Sequence, residues 1–160
     1  MTRTAAPVYV DPGNVTMFML ENVAILVWFA QPAVAAIERL DRSIKRQSSA
    51  PLSMVHIVKA PLKLPDDASR AAMLQVTKTH DVALIAMVVT ESGFMLSMMR
   101  SVITGLRVVT AGRFDYRIEK SVEDVAAWLP QLHEQKTGVA IDAQRLLHVL
   151  RAADHSADAT

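Results

Sequence analysis

Val82-Ala83-Leu84-Ile85-Ala86-Met87-Val88-Val89 is an unbroken apolar run, and the turn-forming residues Thr90-Glu91-Ser92-Gly93 follow it. A continuous rather than alternating apolar pattern is that of a strand covered on both faces, the usual state of a central strand in a parallel sheet. After the turn comes a helix, Phe94–Val109. Phe94, Met95, Met98, Met99, Val102, Ile103 and Leu106 lie on its wide apolar face, and Ser97, Arg100, Ser101 and Thr104 share the narrower polar one. A further strand is expected at Tyr116–Lys120. Upstream of Val82 the pattern is a helix over Ala68–Thr79, capped by Asp66 or Asp67, and a strand over Met54–Val58. Before these lies a helix opened by Gln31-Pro32, with Ala33, Ile37, Leu40 and Ile44 in one stripe.

The opening segment has two readings. Val15–Leu20 and Val23–Phe29 read as a hairpin around Glu21-Asn22, with asparagine suited to the left-handed backbone of a two-residue turn. A buried helix over Met17–Ala30 is the rival, disfavoured by Val23, Ile25, Val27, Trp28 and Phe29. At the other end Ser121 starts a helix, with Asp124 three residues on and Val122, Val125, Ala126 and Leu129 facing inward. Pro130 is expected to end or kink it. A last helix spans Asp142–Ala152. The alternation predicts one α/β domain over residues 15–152, with a mostly parallel, four- to five-stranded sheet wrapped by helices, an opening β-hairpin and an extra C-terminal helix. Residues 1–14 are expected to be a flexible lead and 153–160 a flexible tail.

Bulk properties exclude several classes. The chain has 160 residues, 51% of them hydrophobic, and a formal net charge of +1. That is enough for one core and too little charge for a general attraction to nucleic acid or anionic membrane. Cysteine is absent, which removes disulfides and thiolate chemistry and fits a reducing compartment. The most apolar segment, Val23–Ala30, is far below the ~20 residues of a membrane-spanning helix, and Met1–Pro7 lacks a signal peptide's apolar core. A cytoplasmic location is the expectation.

The order of two extended runs followed by helix–strand–helix–strand–helix–strand–helix resembles that of STAS domains, the sulfate-transporter and anti-sigma-factor-antagonist modules, from about Val15 to Leu132. The local match lies in Val88-Val89, Glu91-Ser92-Gly93-Phe94 and Met99-Arg100-Ser101-Val102-Ile103-Thr104-Gly105-Leu106. It continues through Tyr116-Arg117-Ile118-Glu119-Lys120-Ser121-Val122-Glu123-Asp124-Val125-Ala126-Ala127-Trp128-Leu129, which looks like the C-terminal part of bacterial STAS-like, SEC14-related proteins. The resemblance implies right-handed βα turns and no obligatory cofactor. In the antagonist branch a serine after the third strand is phosphorylated and gates a kinase-like partner, by charge repulsion and desolvation. The matching stretch here, Leu64-Pro65-Asp66-Asp67-Ala68-Ser69-Arg70, lacks the family's Asp-Ser-Ser/Thr-Gly, and Ser69 is its one hydroxyl.

No metal spacing, hydrolase elbow or glycine-rich phosphate loop is present. His56 reads as a hydrogen-bonded core or edge histidine, and His80 beside Asp81 as a candidate acid–base pair. Strand ends near Lys59, Thr90, Ser92, Gly93 and Arg113 form a candidate small-ligand pocket. The methionine-rich helix suggests a contact surface made of Phe94, Met95, Met98, Met99, Arg100, Val102 and Ile103. The expected function is therefore a non-enzymatic interaction or regulatory module acting on a protein partner or on a second copy as a homodimer, without nucleic acid or membrane insertion. A small-ligand or lipid-binding carrier is the alternative, in line with the lipid binding of SEC14-related modules.

Overall fold

A computed structural model describes residues 5–48, 51–59, 61, 63–90 and 93–156, with the side chains of Phe94, Met95 and Leu106 excepted. The elements are β1 (Tyr9–Asp11), β2 (Val15–Leu20), β3 (Val23–Trp28), α1 (Val34–Gln47), β4 (Leu52–Val58), α2 (Asp67–Thr79), β5 (Val82–Val88), α3 (Phe94–Val109), β6 (Asp115–Glu119), α4 (Val122–Thr137) and α5 (Ala143–Ser156).

The strands form a single six-stranded sheet in chain order, β1-β2-β3-β4-β5-β6. β1–β2 and β2–β3 are antiparallel, and β3–β4, β4–β5 and β5–β6 are parallel. The sheet is thus mixed and larger than the expected four or five strands. The extra strand is β1, which falls in the stretch read as a flexible lead. It is only three residues long and sits between Pro7 and Pro12-Gly13, so no alternation marks it. Long-range chemistry holds it instead. Arg39 of α1 pairs with Asp11 at 2.7 Å, and Asn14 donates to the same carboxylate at 3.1 Å.

β2 and β3 form the hairpin, in register from Val15 opposite Trp28 to Leu20 opposite Val23, so the rival helix is excluded. The left-handed turn residue is Glu21, with φ 50°, rather than Asn22. Asn22 is buried, and its amide donates to the Pro51 carbonyl at 2.6 Å.

Side chains alternate across the sheet, so each central strand supplies two cores. Val23, Ile25 and Val27 of β3 face the same core as Val125 and Leu129 of α4 and Leu146 and Leu150 of α5. Ala24, Leu26 and Trp28 face Ile37, Leu40 and Ile44 of α1 and Val76 of α2. Towards β6 the second face continues as Met87, Val89, Ile103 of α3 and the fully buried Phe114. The layers are therefore α1-α2-α3, sheet, and α4-α5. Every parallel crossover passes over the same face.

The caps follow local chemistry. Asp66 accepts from the Ser69 amide at 2.7 Å and Ser121 from the Asp124 amide at 3.1 Å. Pro130 does not end its helix. α4 runs through it to Thr137 and stops at Gly138, whose left-handed backbone (φ 75°) closes the helix. Burial of Leu129 and His133 on either side of the proline keeps the helix continuous. α5 reaches Ser156 rather than Ala152, because Ala153 is fully buried against the sheet.

Proline inside a helix removes one backbone hydrogen bond and costs ~3 kcal/mol. Pro130→Ala should therefore raise the free energy of unfolding by roughly 1–3 kcal/mol in urea titrations. A lower stability would mean that the restricted backbone of Pro130 is needed for α4 to fit the sheet.

Candidate functional site

The C-terminal halves of β3, β4 and β5 do not close completely against α1, α2 and α3. A cavity of about 80 Å³ lies between them, walled by Leu26, Trp28, Met54, Met87, Met73 and Met99 among others. A second space of about 60 Å³ extends towards the loop at Pro61, Lys63 and Pro65. Trp28, His56, Pro65, Met73, Met87 and Met99 line both, so the two are lobes of one site. The lining is almost wholly apolar. Four methionines, Met54, Met73, Met87 and Met99, make it adaptable, since an unbranched thioether fills irregular space by rotation.

One polar pair stands in this lining. The Trp28 indole Nε1–H donates to His56 Nδ1 at 3.1 Å, with the rings 4° from parallel and their centroids 6.4 Å apart, as an in-plane bond requires. An indole nitrogen only donates, so Nδ1 is an acceptor and the neutral ring carries its proton on Nε2. Burial pushes the imidazole down to about 4, which keeps it neutral. Nε2 has no partner among the described residues, yet no side-chain polar atom there is both buried and unpaired. The Nε2–H therefore opens onto accessible space, and both lobes border His56. The histidine is hydrogen-bonded, as the sequence suggests, and its ring lines both lobes.

A second histidine makes the opposite arrangement. His133 of α4 bonds Asn22 Oδ1 through Nε2 at 2.7 Å and Ser53 Oγ through Nδ1 at 2.6 Å. The asparagine oxygen only accepts, so Nε2 donates and Nδ1 accepts the serine proton. The order Ser–His–Asn is that of a nucleophile, base and orienting group. Ser53 and His133 are fully buried, however, and neither lines the cavity. The network serves as a clamp joining the β2–β3 turn, the start of β4 and α4. Burial lowers the His133 pKa as well. No protein-family model, curated protein or solved structure matches this chain.

The ligand-binding residues expected from sequence are not brought together. Lys59 follows β4 and pairs with Asp154 of α5 at 2.5 Å. Thr90 and Gly93 are exposed beyond the C-terminal end of β5. Arg113 precedes β6 and so lies at the opposite end of this parallel sheet. Ser92 is outside the described residues. With every parallel crossover on one face, β3–β6 also lack the strand-order reversal that opens a ligand crevice in doubly wound sheets. Ser69 is 2% exposed in the first turn of α2, where a modifying enzyme has no access. His80 pairs with Asp41 of α1 at 2.6 Å rather than with Asp81. Burial alone would raise the Asp41 carboxyl, but hydrogen bonds from His80 and Lys45 outweigh it and hold the pKa below the ordinary value. Among the described residues no group of three His, Cys, Asp or Glu is placed to hold a metal ion, and no helix is long and apolar enough to cross a membrane.

The expected contact surface divides. The side chains of Phe94 and Met95 lie outside the described residues. Ile103 is buried and Met99 half-buried, both turned towards the sheet. Met98 and Val102 line an open groove of about 580 Å³ between α3 and α2, with Ala71, Leu74, Gly105 and Val109. Arg100 is exposed.

A depressed histidine pKa fixes a pH dependence. The unfolded chain takes up a proton near pH 6.5, whereas folded His56 resists protonation to about 4. The unfolded state then binds more protons, so stability falls as pH falls, by about 1.4 kcal/mol per unit for this group. His133 adds a loss of the same sign. Urea midpoints measured from pH 7 to pH 5 should drop less in His56→Gln than in the wild type. Parallel curves would show that His56 does not resist protonation in the native state.

Proposed function

We propose that this chain is a STAS-like interaction module that works through the outer side of α3, with a second copy of itself as partner. The STAS-like reading draws support from the unbroken strand order and from βα crossovers that all pass over one face. The observation that carries the contact surface is the poor cover of a strongly apolar helix. Of the described α3 side chains only Ile103 is buried, while Val108 and Val109 are 75% and 62% exposed.

An apolar face left in water is the usual mark of an interaction site. The groove beside it gives that face depth, and Arg70 lines it. Burying such surface contributes ~25 cal/mol per Å². The net charge of +1 sets almost no repulsion between copies. A non-enzymatic role fits a surface that offers contact area rather than convergent reactive groups.

Sedimentation velocity at tens of micromolar should give a dimer. Val109→Asp changes an exposed residue and should leave folding intact while weakening association by at least ~10-fold, equal to about 1.4 kcal/mol. Arg100→Glu should weaken it in the same direction. A monomer at every concentration, or a dimer indifferent to both changes, would overturn the reading.

A further inference from the structure

We propose that the two-lobed cavity around His56 is a binding site for a small, neutral, mostly apolar molecule bearing one hydrogen-bond acceptor, such as an aromatic ketone or ester, with His56 Nε2–H as the donor. The site lies under the sheet-facing side of α3 and shares Val102 with the groove; it does not depend on self-association.

Size is the first ground. Lobes of about 80 and 60 Å³ sharing one wall are of the order of the ~150 Å³ apolar cavity that holds benzene. Long acyl chains do not fit. The second ground is the donor count. In the inner lobe Thr77 Oγ1 is taken by the Met73 carbonyl at 3.0 Å and Trp28 Nε1 by His56, while Gln31, one of whose two amide protons goes to the Leu64 carbonyl at 2.9 Å, and Lys63 border only the outer lobe. His56 Nε2–H is the inner lobe's open donor. A water needs two to four polar partners to be held in such a place. A single open donor in the apolar inner lobe suits a molecule with one acceptor and an apolar body better.

Charge is the third ground. The inner lobe has no charged residue, and Lys63 borders only the outer one. A carboxylate would lose its hydration there without a partner. The fixed tautomer matters as well. Trp28 occupies Nδ1, so the ring presents a donor and never an acceptor to the cavity.

The two tryptophans supply the readout. The Trp28 indole N–H is bonded to His56, and that of Trp128 to Glu119 at 2.9 Å. In proton–nitrogen NMR spectra of the full chain, acetophenone at millimolar concentration should shift the Trp28 indole signal saturably and leave that of Trp128 in place. Acetophenone should bind several-fold more tightly than ethylbenzene, which has the same ring and no acceptor. His56→Gln, which keeps a donor, should retain that preference, and His56→Phe should lose it. Absence of a saturable Trp28 shift with either probe would overturn the site, a result open to the wild type even if a variant fails to fold. Equal affinity for the two probes would overturn the role of His56. Tighter binding of benzoate than of acetophenone would overturn the neutral ligand.

Discussion

All six residues of β3, Val23–Trp28, are buried, and the rest of the molecule is arranged around that fact. A strand dry on both faces needs a layer on each side and a hydrogen-bonded neighbour at each edge. β2 and β4 supply the neighbours, α1 and α2 one layer, and α5 with α4 the other. Both faces of β3 are apolar, so a one-residue slip would keep most of the burial; it is opposed by packing, since it would exchange the Ala24, Leu26 and Trp28 set with the Val23, Ile25 and Val27 set in cores shaped for the other.

The two ends of this strand treat polar groups differently. At its start, Asn22, Ser53 and His133 satisfy one another and close the core. At its finish, Trp28 and His56 satisfy one another only in part, beside unfilled space. A complete network adds rigidity, and an incomplete one leaves a group able to meet something else. The same contrast runs across α3. Met99 and Ile103 roof the cavity while Met98 and Val109 border the groove, so occupants of the two sides are coupled only as far as each prefers one placement of that helix.

What was legible in the chain was what neighbouring residues determine. Val82–Val89 announces a buried strand, Asp66 and Ser121 announce helix starts, and the hairpin is readable from β-branched content on both sides of Glu21-Asn22. What stayed hidden depends on distant partners. His56 meets Trp28 across 28 positions, Ser53 meets His133 across 80, and His133 meets Asn22 across 111. β1 is held by its ladder to β2, by Tyr9 on the core and by Arg39 reaching Asp11, and α4 passes through Pro130 with buried residues on either side. Phe114 sits in a short turn where nothing local marks it as core. Arg113 precedes β6, so a parallel pairing puts it at the far end of the sheet from Lys59 and Thr90, which follow their strands.

The outermost strands carry one more implication. β1 offers three residues, with Asp11 already engaged. β6 reads Asp-Tyr-Arg-Ile-Glu. Its Asp115 is held by Lys136 and Arg107, and its Arg117 lies 4.5 Å over the Trp128 ring. Short length and dense charge make both poor templates for adding a foreign strand. A molecule with so apolar a middle is thereby guarded against edge-to-edge strand pairing at both flanks of its sheet.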